Sequence, residues 1–136
     1  MGMQWNFGFA GLGLVICISA ASPTRAGDFD EPESFNAPSN NISCHYTPKG
    51  ELPRQTSGIY CTRFAPTPAR MYLGQTGKVT TQRGFKDGCC DNSPVLAYGK
   101  TWERAPFSCH SSEAGMRCTR ADGRGFLMSR SKLEAF

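Results

Sequence analysis

The sequence contains none of the short motifs that identify the common enzyme and cofactor sites. No serine lies in a G-x-S-x-G context, and Gly123-x-Gly125 lacks the third glycine of a dinucleotide-binding turn. Gly99-Lys100-Thr101 ends like a phosphate-binding loop, but Pro94 stands where that loop requires its first glycine. We therefore predict no catalytic residue and no cofactor.

Long regular apolar patterns are missing as well. No stretch shows the 3.6-residue period of a long helix. The longest apolar run, Phe7 to Ala21, is too short and too rich in glycine to span a membrane comfortably. Apolar residues make up only 39% of the 136 residues. Because a domain of about 110 residues buries only about 60–65% of its unfolded-chain surface, its core is expected to need covalent support.

The N-terminal residues are typical of an exported protein. Residues 1–26 are interpreted as a signal peptide, with small residues placed for cleavage after Ala26 and a second possible cut after Ala21. Residues 27–34 are expected to form a flexible acidic leader, and residues 35–136 a single disulfide-rich β domain. This organisation predicts a secreted or periplasmic protein that keeps no stable membrane span after the signal is removed.

The cysteines are expected to provide this covalent support as disulfides. Cys17 would leave with the signal peptide, so an even set of six remains, as in exported disulfide-rich domains. A metal site is not predicted, because no two cysteines have the C-x-x-C spacing of a zinc site. The six predicted disulfide cysteines are Cys44, Cys61, Cys89, Cys90, Cys109 and Cys118.

The stretch from Phe107 to Arg130 suggests how these cysteines pair. Apolar and polar residues alternate on both sides of a polar, glycine-ended turn, which indicates a β-hairpin. If the turn is symmetric, Cys109 faces Cys118 at disulfide distance. We favour a Cys44–Cys61 pair second, which leaves Cys89 and Cys90 as a vicinal disulfide or as thiols. The rival scheme joins Cys44 and Cys61 separately to Cys89 and Cys90.

Short alternating segments continue along the chain, separated by turn signals. They predict an all-β fold, a small disulfide-braced antiparallel sandwich or barrel built from hairpins. A short helix is expected near the end, over residues 131–135. The pattern Φ-S-C-H followed by Φ-x-C-T-R occurs twice, which would fit two related disulfide hairpins. Strands are predicted at Ile42–Tyr46, Gly58–Phe64, Arg70–Leu73, Lys78–Thr81, Val95–Trp102 and in the Phe107–Arg130 unit.

Several of these segments resemble one family. Its opening motif is matched by F-x-A-P-S-x-N-I-x-C from Phe35 to Cys44. Its closing motifs are matched by L-x-Y-G, F-x-C-x-S, G-M-x-C and G-x-G-F-x-x-S-R between Leu96 and Arg130. The chain is thus similar to an uncharacterised, domain-of-unknown-function family of small exported, cysteine-rich bacterial proteins. Arg124 stands where members often have histidine, and the adjacent Cys89 and Cys90 stand where many have one cysteine. The resemblance implies export and a cystine-rich β domain, and it implies no activity.

Arginines and aromatic residues suggest where a ligand would bind. Four arginines and one tryptophan are predicted to form a basic aromatic patch that binds anionic glycans. The alternative is that the arginines serve solubility and the aromatic residue belongs to the core. We therefore expect a non-catalytic β domain that binds an envelope component or a secreted protein partner, with no nucleic acid because of export. The residues of this possible binding patch are Arg63, Arg117, Arg120, Arg124 and Trp102.

Two alternative functions stay open on the sequence. Cys89 and Cys90 would suit a thiol or metal sensor. His45, His110 and Asp122 would be the residues to test in a small hydrolase with an unfamiliar site. Both histidines directly follow a cysteine on a strand, so alternation is expected to point them away from the cysteine face. Exposed or interfacial histidines are the simpler interpretation.

Overall fold

Ten short strands make up the secondary structure of the described residues, and none of those residues is helical. The computed structural model describes Gly2 and residues 32–50, 57–86 and 90–136. Apart from Gly2, the predicted signal peptide lies outside the described residues, as do residues 27–31 of the predicted leader and Cys89. The strands are β1 Ser34–Asn36, β2 Ile42–Thr47, β3 Gly58–Arg63, β4 Ala69–Gly74, β5 Thr80–Arg83, β6 Thr101–Arg104, β7 Phe107–Ser112, β8 Gly115–Arg120, β9 Gly125–Met128 and β10 Leu133–Ala135.

The strands form two antiparallel five-stranded sheets. The first has the order β1-β2-β3-β4-β5 and the second β10-β9-β8-β7-β6, so each sheet is a simple meander. Their inner faces share one cluster of buried side chains, which makes the fold a sandwich. The predicted all-β class is therefore confirmed, and of the two predicted architectures the protein adopts the sandwich.

A disulfide closes the central hairpin of each sheet. Cys44 lies opposite Cys61 in the β2–β3 pair, and Cys109 lies opposite Cys118 in the β7–β8 pair. All four side chains are buried, since they point inward together with the apolar residues two positions away. The two favoured pairings are confirmed, and the rival scheme that joins Cys44 and Cys61 to Cys89 and Cys90 is wrong.

The two sheets repeat one pattern, as the twofold occurrence of Φ-S-C-H and Φ-x-C-T-R predicted. Phe35 on β1 pairs with Cys44, and Trp102 on β6 pairs in the same way with Cys109. These two equivalent aromatic rings meet in the core, with their centroids 5.3 Å apart. The Trp102 indole nitrogen also donates a hydrogen bond to the carbonyl oxygen of Pro32 at 2.7 Å.

The segment between the two sheets does not form the strand predicted over Val95–Trp102. Val95 forms only an isolated parallel bridge with Asn36, and Gly99 then turns the chain with a φ of 82°. The strand β6 begins after that turn, at Thr101. The β-branched and aromatic composition of this segment is thus outweighed by a left-handed glycine in its middle.

The predicted helix near the C-terminus is also wrong. Residues 131–135 do not form a helix, because Leu133 pairs with Met128 and the segment becomes β10 on the edge of the second sheet. Tertiary pairing outweighs local preference here.

The described part of the chain has no helix with the length and apolar character needed to cross a membrane.

Candidate functional site

Three of the five residues predicted to form a basic aromatic patch are inside the protein. Trp102 is 0% exposed, Arg63 is 5% exposed and Arg120 is 6% exposed. Only Arg117 and Arg124 are exposed. The prediction of an exposed patch is therefore wrong for Arg63, Arg120 and Trp102. The two arginines lie two residues after Cys61 and Cys118, so strand alternation turns them inward with the cysteines.

The two buried arginines tie the sheets together in equivalent ways. Nη1 of Arg63 donates hydrogen bonds to the carbonyl oxygens of Ser129 and Arg130, at 3.2 Å each, just beyond β9 in the opposite sheet. Arg120 reaches in the other direction, from Nη1 to the Gly74 carbonyl at 2.7 Å and from Nη2 to the Gly77 carbonyl at 2.8 Å. Each guanidinium thus satisfies carbonyl groups at the end of a strand in the facing sheet.

The Arg120 contact defines an open groove at one end of the sandwich, which we call the basic groove. Its volume is about 280 Å³. Lys78 comes from the loop between β4 and β5, directly after the carbonyl that Arg120 holds. Arg124 comes from the loop between β8 and β9 in the other sheet. The lining residues are Lys78, Val79, Arg124, Ala135 and Phe136.

Phe136 forms an aromatic wall of the basic groove. Arg117 lies over its ring on the outer face of the second sheet, with Cζ 4.2 Å from the ring centroid. The ring also packs on Gly125, where a Cβ atom would lie 2.8 Å from Cε2 of Phe136. Glycine at position 125 therefore allows the close approach of both the Cys118 carbonyl oxygen on the neighbouring strand and the Phe136 ring, and Arg117 covers that ring from the outer face of the sheet.

Asp122, two residues before Arg124, forms a salt bridge with Arg120. Its two carboxylate oxygens accept hydrogen bonds from Nε and Nη2 of Arg120 at 2.9 and 2.6 Å. This contact holds the pKa of Asp122 below its usual range and raises the pKa of Arg120. The charge of Arg124 also lowers the pKa of Asp122, so this carboxylate offsets part of the Arg124 charge as well. Within the described residues, neither Lys78 nor Arg124 forms a salt bridge with a carboxylate.

A second, smaller cavity of about 150 Å³ lies at the other end of the sandwich. Arg63 holds the backbone of Ser129 and Arg130 on one side of it. Glu113 and Arg130 both line this cavity, so it carries charges of opposite sign. Compared with the basic groove it has no excess of one charge, and it indicates no single ligand class.

The hydrolase candidates lie apart from one another. His45 is on the outer face of the first sheet, and its Nε2 lies 3.2 Å from Oγ of Ser43, which is only 3% exposed. His110 is on the outer face of the second sheet, where Nδ1 lies 2.9 Å from Oγ1 of Thr101. Asp122 is paired with Arg120. The predicted outward direction of both histidines is confirmed, and the described residues do not bring the three candidates together.

His45 leads to a prediction about pH. Burial lowers its pKa below the ordinary value of 6.5, and nearby Arg70 lowers it further, against the opposing effect of Asp91. Between 6.5 and the lowered pKa the unfolded chain binds more protons than the folded chain. The free energy of unfolding should therefore decrease as the pH falls through 6.5, and level off below the folded pKa.

Urea unfolding measured between pH 8 and pH 4 checks this dependence. His45→Gln should remove the part of the slope that begins near 6.5. The matched variant His110→Gln, at an exposed imidazole, should retain it. An unchanged slope in His45→Gln would refute the assignment.

The remaining cysteines bear on the sensor alternative. Cys90 is disulfide-bonded, and Cys44, Cys61, Cys109 and Cys118 are paired among themselves. Cys89 lies outside the described residues. Sγ atoms of Cys44, Cys61 and Cys118 lie within 4.8 Å of one another, but in this protein they belong to disulfides and are not free thiolates.

Comparison with known proteins adds a family to this description. Residues 72–136 match DUF6636, a family of unknown function. The resemblance to an uncharacterised domain-of-unknown-function family is thereby confirmed. The DUF6636 match begins in β4 and runs through the whole second sheet, so it includes every lining residue of the basic groove. No curated protein and no solved structure matches the chain.

Sequence reasoning missed Lys78 and Phe136 as members of the site. The sequence predicts Lys78 at the start of a hairpin strand, and it gives no role to Phe136, which follows the predicted helix over residues 131–135. The signal for the aromatic wall was present in Gly125, a glycine inside a strand, because such a glycine often marks a close approach by another group. Nothing in the sequence pairs Lys78 with Arg124, which are brought together only by the contact between the sheets.

Proposed function

We propose that this protein is an exported, non-catalytic β-sandwich that binds an anionic glycan of the cell envelope in the basic groove. The observation that carries the proposal is the meeting of Lys78 and Arg124, from opposite sheets, beside the Phe136 ring under Arg117. Two cations at an open surface attract polyanions, and an aromatic ring offers apolar contact to a sugar.

The rigidity of the groove supports a binding role. Arg120 is buried and donates short hydrogen bonds to the backbone carbonyl oxygens of Gly74 and Gly77, at the two ends of the turn before Lys78. The Lys78 loop is thus held at a fixed distance from the second sheet before any ligand arrives. Preorganisation of this kind reduces the entropy lost on binding.

Two features support export. The apolar N-terminal run is followed by small residues suited to cleavage, as set out for Ala21 and Ala26 above. Disulfides persist mainly in oxidising compartments, and two of them lie in the core of this domain. N-terminal sequencing of the chain recovered outside the cytoplasm tests this part, since an unprocessed Met1 would argue against it.

Binding to heparin, used as a model sulfated glycan, tests the groove. The mature protein should bind heparin in low salt and lose affinity as salt is raised, because the interaction is electrostatic. The double variant Lys78→Gln/Arg124→Gln should weaken binding by about tenfold or more, corresponding to roughly 1.4 kcal/mol. Isothermal titration calorimetry measures both effects.

The matched control is Lys100→Gln, which removes one exposed lysine at the other end of the second sheet, beside Ser111. It should bind heparin like the unmodified protein. Equal weakening by Lys100→Gln and by the groove variant would mean that only net charge matters. Unchanged binding in the groove variant would place the ligand elsewhere, and dextran should show no binding in either case.

A further inference from the structure

The two core disulfides touch each other across the middle of the sandwich. The Sγ atoms of Cys61 and Cys118, which belong to different disulfides and different sheets, are 3.7 Å apart. This is van der Waals contact, because neither sulfur carries a proton. All four cysteines are 0% exposed. The contact arises because each disulfide closes the central hairpin of its sheet and both hairpins present the bridge inward.

Such a contact has a chemical consequence once one bridge is opened. A thiolate exchanges with a disulfide by direct attack on one of its sulfur atoms, so the outcome depends on which sulfur lies within reach. For Cys61 the sulfur within reach is that of Cys118. A reductant reaches these buried bridges only when the sandwich opens transiently, and after the sandwich closes again the neighbouring disulfide is the partner that the fold offers.

We propose that Cys61 and Cys118 form an internal thiol–disulfide exchange site that can convert the two in-sheet bridges into one cross-sheet bridge. A dithiol reductant first gives two electrons and two protons to the Cys44–Cys61 bridge, and becomes a disulfide itself. The Cys61 thiolate then attacks Sγ of Cys118. The Cys61–Cys118 bond forms, the Cys109–Cys118 bond breaks, and Cys109 leaves as a thiolate that takes up the proton released by Cys61.

The exchange step involves no net oxidation, since one disulfide is consumed and one is made. Its product would covalently join β3 to β8, the central strands of the two sheets. A partly reduced molecule would therefore exchange a local hairpin bridge for a bridge that holds the sandwich closed. Reduction starting at Cys109–Cys118 leads to the same product, because Cys118 can attack Cys61 across the same 3.7 Å.

A double variant tests the reach of the two sulfurs. In Cys44→Ala/Cys109→Ala, oxidation with glutathione disulfide should link Cys61 to Cys118. The matched control Cys61→Ala/Cys118→Ala keeps Cys44 and Cys109, and Sγ of Cys109 is outside the group of three sulfurs within 4.8 Å. We expect the cross-sheet bridge to form about tenfold more readily in the first variant, because proximity sets its effective concentration.

Disulfide mapping of the unmodified protein gives an independent measurement if the variant does not fold. The protein is treated with less dithiothreitol than it has disulfides, quenched with acid, alkylated and digested with trypsin. Trypsin places the four cysteines on separate peptides, 27–49 in the chain cleaved after Ala26, 55–63, 105–117 and 118–120, so each bridge is distinguishable. Partly reduced molecules should yield peptide 55–63 joined to 118–120.

The outcomes decide the proposal. A cross-sheet bridge in the double variant or in the partly reduced protein supports it. If the folded variant keeps both thiols under the oxidant, the proposal is overturned. If the variant does not fold, the absence of the joined peptides, with each native bridge reduced independently, overturns it as well.

Discussion

Replacing Arg120 with lysine is expected to lower the free energy of unfolding by about 2–4 kcal/mol, although the charge is kept. The guanidinium makes four hydrogen bonds in a fixed fork, to the Gly74 and Gly77 carbonyls and to both oxygens of Asp122. An ammonium group on a shorter stem cannot reach these acceptors together. It would leave a buried carbonyl of the facing sheet without a donor.

Urea unfolding of Arg120→Lys measures this loss. The matched control is Arg124→Lys, an exposed arginine in the neighbouring loop, which should change stability by no more than about 0.5 kcal/mol. Because Arg120 also fixes the Lys78 loop, the variant should bind heparin more weakly than Arg124→Lys does. Equal stability of the two lysine variants would show that the contact between the sheets does not depend on the fork of Arg120.

Removing the bridge of the second sheet is expected to have a comparable effect. The double variant Cys109→Ala/Cys118→Ala should lose about 3 kcal/mol through the greater freedom of the unfolded chain. The small cavity left by two buried sulfurs adds to this loss. Alanine is the appropriate replacement, since serine would bury two hydroxyl groups in an apolar core. Thermal unfolding should show a melting temperature lower by roughly 10 °C or more.

The same experiment in dithiothreitol provides the control. With all disulfides reduced, the unmodified protein also lacks the Cys109–Cys118 constraint. Its melting temperature in dithiothreitol should therefore approach that of the variant in dithiothreitol. A persistent difference under reducing conditions would assign the effect to packing of the sulfurs. Little difference under oxidising conditions would contradict the view that a small apolar core depends on cross-links in this domain.

Strand alternation explains both the successes and the failure of the sequence-based predictions. It placed Cys109 opposite Cys118, because a short turn fixes the register of a hairpin locally. It also turned His45 and His110 outward. The same rule, counted two residues on from Cys61 and Cys118, places Arg63 and Arg120 inside. Their charge favoured an exposed patch, but the carbonyl groups of the facing sheet satisfy them in the interior.

The wrong secondary-structure predictions share a different cause. Val95–Trp102 has the composition of a strand, and residues 131–135 that of a short helix. In the folded chain Gly99 interrupts the first segment, and pairing with β9 extends the second. Neither outcome can be read from composition, because each depends on where a neighbouring strand lies.

The sequence by itself predicted the all-β class and the Cys109–Cys118 hairpin, because these depend on alternation and turns over a few residues. It favoured the Cys44–Cys61 pair but left a rival scheme open, and the structure decided between them. Only the tertiary structure decided which cations meet. Lys78 and Arg124 lie in different sheets, and their distance follows from how the sheets pack and from the hydrogen bonds of Arg120. The contact between Cys61 and Cys118 has the same origin, since face-to-face packing relates residues that no local pattern connects.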